Sequence, residues 1–160
     1  MFAPVAKKLL STYDNIEITF AGEGPDIEYL KSTIGNDERI CFCAYRSDES
    51  ISFHRQFDVA VVPTIYSEGT SLSLLEAMSA QCAVVCTNVG GMTNIILDEY
   101  NGLMVSPDEG ELFSALSRLI TDQKLRKYLS KNAYETVNSS FSIMKWKKSW
   151  KALMLDYFGD

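Results

Sequence analysis

Strand-like runs and helical stretches alternate along this chain, and that alternation limits the folds open to it more than any other feature. Ile16–Ala21, Arg39–Ala44, Asp58–Pro63 and Cys82–Thr87 read as strands, with Leu103-Met104-Val105 as a shorter run. Between them, apolar residues return at helical spacing. Strands separated by helices of ~10–15 residues build βαβ units and a parallel sheet. The near-continuous Val and Ile runs fit strands covered on both faces. The expected fold class is α/β, a Rossmann-like parallel sheet flanked by helices, with its ligand site at the carboxyl ends of the strands.

Local signals place the helices. Pro25 suits a first helical position, with Asp26 and Glu28 in the first turn, and Gly35-Asn36 stops that helix after about Thr33. Ser47 or Asp48 caps a short helix through Phe57, and Thr70 or Ser71 caps one to about Ala80. Gly90-Gly91 precedes a short helix to Leu97, and Asn101-Gly102 turns into the last strand. Pro107-Asp108 leads into a helix over Glu111–Thr121, and Lys124–Phe158 is helical with a break near Ser139-Ser140. There is no internal repeat and no long linker. The 160 residues read as one domain, with C-terminal helices at about 124–158.

Charge narrows the function. With 15 Lys+Arg against 21 Asp+Glu, the net charge of -6 disfavours broad electrostatic binding to nucleic acid or anionic membrane. No apolar run approaches the ~18 residues of a membrane span, and Met1–Lys8 lacks the pattern of a secretory signal. Cys41, Cys43, Cys82 and Cys86 fall in strand-like runs without zinc-site spacing. They read as reduced, small core hydrophobes, which points to a reducing compartment.

The stretch Ser67-Glu68-Gly69-Thr70-Ser71-Leu72-Ser73-Leu74-Leu75-Glu76-Ala77-Met78 carries the chemistry. A buried strand ends at Pro63, and a helix then opens with Gly, Thr and Ser. Free backbone N–H groups at such an end bind an anion, and Gly69 lets it approach closely. Glu68 is ill-suited to a phosphate but suited to hydroxyl groups beyond it. Glu76 shares its helix face with Leu72, Ser73 and Ala80, where a carboxylate costs free energy unless it accepts hydrogen bonds. A nucleotide sugar supplies both needs: diphosphate at the helix end, sugar hydroxyls near one carboxylate, ribose hydroxyls near the other. Taken singly, each glutamate also reads as an ordinary solvated side chain.

The Glu68-x7-Glu76 spacing, within Pro63-Thr64-x3-Glu68-Gly69-x5-Leu75-Glu76-Ala77-Met78, resembles the family-4 retaining glycosyltransferases of the GT-B fold. Gly22-x-Gly24-Pro25, Asp58-Val59-x-Val61-x-Pro63, Val84-Val85, Gly90-Gly91, Asn101-Gly102-Leu103 and Val105-x-Pro107 match further elements in order. Two positions depart: Gln81-Cys82-Ala83 stands where the family usually has Gly-x-Pro, and Asn94 where it usually has Glu.

The resemblance implies the donor-binding C-terminal domain of an enzyme that moves a sugar from a nucleotide sugar to an acceptor hydroxyl with retention. Glu68 would contact the donor sugar as the catalytic-site carboxylate, though not as a nucleophile, and Glu76 the ribose. Gly69, Thr70, Ser71 and Leu72 would hold the distal phosphate, Tyr45 and Arg46 would border the base, and Gly22 would join the donor site. No Asp-x-Asp motif is present, and neither a metal nor another cofactor is expected; the helix dipole takes part of the charge.

By the same resemblance, an acceptor domain and the first strand of the donor domain, with its Arg/Lys clamp, lie outside these residues, and Met1–Thr12 is the helix after that strand. That strand would fall between Ile16–Ala21 and Asp58–Pro63, so direct closure of those two, or insertion by a second chain, is expected ahead of an open gap. The expected setting is cytoplasmic polysaccharide biosynthesis, at the inner face of a membrane for the full-length enzyme, with homodimers through exposed surfaces. Two rival classes are a non-catalytic nucleotide- or protein-binding module and a fragment of a sugar-nucleotide epimerase.

Other candidates carry less. Gly22-Glu23-Gly24-Pro25-Asp26 lacks the third glycine of a dinucleotide fingerprint, with Ile27 in its place, and its carboxylates would repel a pyrophosphate. His54 has no second ligand or nucleophile placed beside it and reads as structural. Ile143, Trp146, Trp150, Leu153, Met154 and Tyr157 share one face of the last helix, with Lys145, Lys147, Lys148 and Lys151 mostly on the other. Core packing is favoured over attachment to a membrane or partner; the resemblance adds a face built for the acceptor domain.

Overall fold

A computed structural model describes residues 1–159 of the chain. The elements run α1 (Phe2–Thr12), β1 (Ile18–Ala21), α2 (Ile27–Ile34), β2 (Ile40–Cys43), a 3-10 turn and α3 (Ser50–His54), then β3 (Val59–Val62) and α4 (Leu72–Ser79). There follow β4 (Ala83–Thr87), a 3-10 turn over Gly90–Asn94, β5 (Leu103–Val105), α5 (Glu109–Thr121), α6 (Gln123–Ser140) and α7 (Ile143–Phe158). Side-chain caps start four of the helices: Ser71 accepts from the amide of Leu74, Asp108 from Glu111, Asp122 from Lys124 and Leu125, and Ser142 from Lys145. At the end of α4, Gln81 takes φ 65°, a left-handed conformation that a glycine adopts without strain.

Every strand pair is parallel, as the alternation requires. β4 is the centre of a three-stranded sheet, β3-β4-β5, and all five of its residues are buried. Its period of two splits the core. Val84 and Cys86 face Leu74, Met78, Met92 and Ile96. Ala83 and Val85 face Val5 and Leu9 of α1 and Leu112, Leu116 and Leu119 of α5. Helices cover both faces, which explains an apolar run without alternation.

The sheet is split. β1 and β2 form a separate two-stranded sheet, and the free edges of β1 and β3 line one cleft of about 1130 Å³. The expected closure of Ile16–Ala21 onto Asp58–Pro63 does not occur; the less favoured open gap does. The small sheet goes where α1 holds it. α1 buries Val5 and Leu9 against α5. Arg39, leading into β2, donates to the carbonyls of Leu10 and Tyr13 at the end of α1, at 3.0 and 2.9 Å, and pairs with Asp37 at 2.7 Å. Closing the gap would pull α1 off that core. The edge groups of β1 and β3 meanwhile face an open cleft that solvent can enter, so they escape the cost of full burial.

Two further expectations are corrected. α7 has no buried residue, so its aromatic face is not core: Trp146 and Trp150 are 57% and 47% exposed. Of the cysteines, only Cys82 and Cys86 are buried; Cys41 is exposed and Cys43 half-buried, because β2 is covered by helices on one face only. No helix among the described residues is long and apolar enough to cross a membrane.

Candidate functional site

The site residues named from sequence follow the carboxyl ends of β1, β2 and β3, and of them Tyr45 lines the cleft. β3 ends at Val62, and the chain loops through Thr64 and Glu68 before α4 begins. This loop is fixed from below and from the side. The buried hydroxyl of Thr87, at the end of β4, donates to the Thr64 carbonyl. The Gly91 amide donates to the Glu68 carbonyl at 3.0 Å. The Gly90-Gly91 turn lies so close to the loop that a Cβ on either residue would overlap the carbonyl oxygen of Glu68 or Gly69. The Thr64 hydroxyl donates to the half-buried Glu68 carboxylate at 3.3 Å.

Beyond Glu68 the backbone is open. Gly69 and Thr70 are exposed, Ser71 is buried as the N-cap, and Leu72 is 70% exposed. The amides of Gly69, Thr70, Ser71 and Leu72 donate to no acceptor among the described residues. The Ser71 hydroxyl instead accepts from the Leu74 amide at 3.4 Å and stands 3.2 Å from that of Ser73. Four unpaired N–H groups at a helix N-terminus, beside a glycine, form an anion cradle.

Glu76, on the same helix, is half-buried, and its carboxylate has no hydrogen-bond partner among the described residues. Its charge reaches the wall of the cleft. Tyr45, after β2, stacks on Phe53 with centroids 4.3 Å apart, and its hydroxyl lies 3.3 Å from Nε2 of His54. Burial pushes the Tyr45 phenol up, helped by Glu76. Burial pulls the His54 imidazole down, while Glu76 acts in the opposite direction. Glu76 thus acts on both Tyr45 and His54, which line the cleft. The Tyr45–His54 contact joins two elements, and no spacing in the sequence connects them.

Arg46 turns away from this group. It makes two hydrogen bonds to Asp48, both 3.0 Å and exposed. Gly22 ends β1 at φ 143°, with its amide donating to the Cys43 carbonyl at 2.9 Å. The site thus has two halves. Gly22, Tyr45 and Arg46 belong to the small sheet; Glu68, the open amides and Glu76 belong to the large one. No β-ladder joins them. No group of three or more His, Cys, Asp or Glu side chains able to hold a metal occurs among the described residues.

Parallel strands flanked by helices, with open amides and two half-buried carboxylates beyond their carboxyl ends, define a Rossmann-like α/β domain. The sequence profile of the Glycosyl transferases group 1 matches residues 2–136, and the chain belongs to that family. It is 29% identical over 133 residues to an uncharacterized glycosyltransferase of Methanocaldococcus jannaschii, covering 80% of this chain and 34% of that protein. It is 27% identical to the UDP-Gal:alpha-D-GlcNAc-diphosphoundecaprenol alpha-1,3-galactosyltransferase of Escherichia coli, covering 97% of this chain and 41% of that one. The chain spans well under half of either relative. Among solved structures, the C-terminal domain of a group 1 glycosyl transferase from Francisella tularensis matches with a TM-score of 0.79 and 32% identity, over 89% of this chain and 78% of that one. The Anabaena protein HepE, solved with UDP, matches with a TM-score of 0.83 at 16% identity over 96% of this chain and 44% of that one, a likeness of fold.

Proposed function

We propose that this chain is the donor-binding half of a retaining glycosyltransferase. The observation that carries the reading is the row of unpaired amides from Gly69 to Leu72, set between Glu68 and Glu76 on a loop locked by Thr87 and Gly91. The amides and the positive end of α4 take the distal phosphate of a nucleotide sugar. Glu68 accepts from the sugar hydroxyls and Glu76 from the ribose. Tyr45, braced by Phe53 and His54, walls the base, and Gly22 leaves room for it; Arg46, paired with Asp48, would have to swing round to border it.

As the sugar–phosphate bond breaks, charge grows on the phosphate oxygen that the amides face. That oxygen takes the acceptor hydroxyl's proton on the same face of the sugar, which gives retention. The protein's part is position and electrostatics, and no metal is called on. In a longer polypeptide an N-terminal acceptor domain would face this site and exclude water. UDP bound to HepE and the UDP-Gal donor of the Escherichia coli relative favour a nucleoside diphosphate sugar as donor.

A second reading, a binding module without turnover, is favoured by one observation: no ladder joins the sheet carrying Tyr45 to the sheet carrying Glu68 and Glu76. The donor-domain reading requires a nucleotide, whereas a module of this kind could bind a nucleotide or a protein. Calorimetric titration with a panel of nucleoside diphosphates tests them: one base should bind at one per chain, ahead of the others. Absence of binding by every member would end the donor-domain reading.

A further inference from the structure

The four cysteines are of two kinds. Cys82 and Cys86 are fully buried, and burial pushes both thiols up to about 12. The Cys82 thiol also donates to the carbonyls of His54 and Phe57, at 3.1 and 3.4 Å. Neither supplies a thiolate near neutral pH. Cys41 and Cys43 sit on β2, the outer strand of the small sheet, which pairs with β1 alone. Phe42, between them, stacks on Phe20 at 5.1 Å, and Phe20 lies against Phe2 of α1 at 5.3 Å, so that face of the strand carries the helix. Alternation turns Cys41 and Cys43 together to the opposite face, beside their registered partners Thr19 and Ala21. Cys41 is exposed, Cys43 is half-buried, and both are free thiols. Burial, and after it the neighbouring Cys41, raises the Cys43 thiol, so a metal bound there must displace its proton.

We propose that Cys41 and Cys43 form a bidentate thiolate site for a soft cation of low coordination number, of the copper(I) kind. Two thiolates are soft ligands that select such an ion. Zinc prefers four ligands, and the described residues offer no third His, Cys, Asp or Glu beside this pair. A disulfide fits the strand less well. Residues two apart on a strand stand ~6.6 Å apart at Cα, near the outer limit for a disulfide, whereas a metal bridges the thiols without bending the backbone. Binding breaks two S–H bonds, forms two S–Cu bonds and releases two protons to solvent. No electron is transferred, so no oxidant is needed.

The test uses the reduced 160-residue protein without oxygen, with copper(I) supplied as its bicinchoninate complex. Wild type should withdraw one copper(I) per chain, and C41S and C43S should each bind about tenfold or more weakly. Both variants keep Cys82 and Cys86, so equal binding by wild type and variants would place the metal elsewhere and overturn the proposal, as would no binding at all. A second measurement needs no variant. Phenylarsine oxide adds across two neighbouring thiols with loss of water. Mass spectrometry should find the adduct on the peptide containing Cys41 and Cys43, stable to a monothiol and removed by a dithiol. An adduct that a monothiol strips, or none on that peptide, would equally overturn the pair.

Discussion

The backbone amide of Gly91 donates to the backbone carbonyl of Glu68 at 3.0 Å, tying the turn after β4 to the loop that carries the first site carboxylate. A Cβ on Gly91 would overlap the Gly69 carbonyl. Gly91→Ala should therefore cost ~1–3 kcal/mol of stability through overpacking and weaken any nucleotide bound at the Gly69–Leu72 amides. Denaturant titration together with calorimetry checks both effects. A variant with unchanged stability and binding would show that the loop adjusts freely.

Glu76→Ala tests the other carboxylate. If Glu76 accepts ribose hydroxyls, its loss should weaken nucleoside diphosphate binding by ~1–3 kcal/mol, the range for a charged hydrogen bond. Stability should change little, since the Glu76 carboxylate has no hydrogen-bond partner among the described residues. Unchanged affinity would remove it from the site.

His54 makes stability depend on pH. Burial holds its imidazole below the ordinary 6.5, so the unfolded chain binds more protons than the native one between the two values. This contribution is fully present above 6.5 and is lost as pH falls through the folded value. Chemical denaturation at about pH 7.5 and about pH 5 should show a smaller acid loss for His54→Gln than for wild type. An identical loss in both would assign the effect to other groups.

The split sheet should be visible in amide exchange. β4 is buried along its whole length and hydrogen-bonded on both sides, whereas β1 and β2 have only each other. Exchange in β1 and β2 should be faster than in β4 by about tenfold or more, because a marginal two-stranded unit opens locally. Equal protection would mean that the two sheets open only together.

Trp146 and Trp150 lie 5.9 Å apart on a helix with no buried residue. An exposed apolar face of this kind promotes association. Light scattering should show concentration-dependent mass for wild type, and less for a Trp146→Ser, Trp150→Ser variant. A wild type that stays monomeric at high concentration would remove this face as a source of association.

The sequence by itself determined the parallel α/β architecture, since βαβ alternation, capping residues and a two-face apolar β4 are local signals that no tertiary arrangement has to supply. Ser71 caps α4 as its position suggests, whereas neither Ser47 nor Asp48 caps α3, and the strands fall within a residue or two of the expected runs. The open helix start was legible for the same reason: Gly69-Thr70-Ser71 before a helix is a local pattern. Three features were decided only in three dimensions. The split follows from α1 gripping α5, a contact between helices a hundred residues apart in the chain. The Tyr45–His54 pair depends on where α3 packs. Helical spacing showed that the Trp146 face is amphipathic, but only packing decided that nothing among the described residues covers it. Periodicity fixes which residues share a face; long-range contacts decide what that face meets.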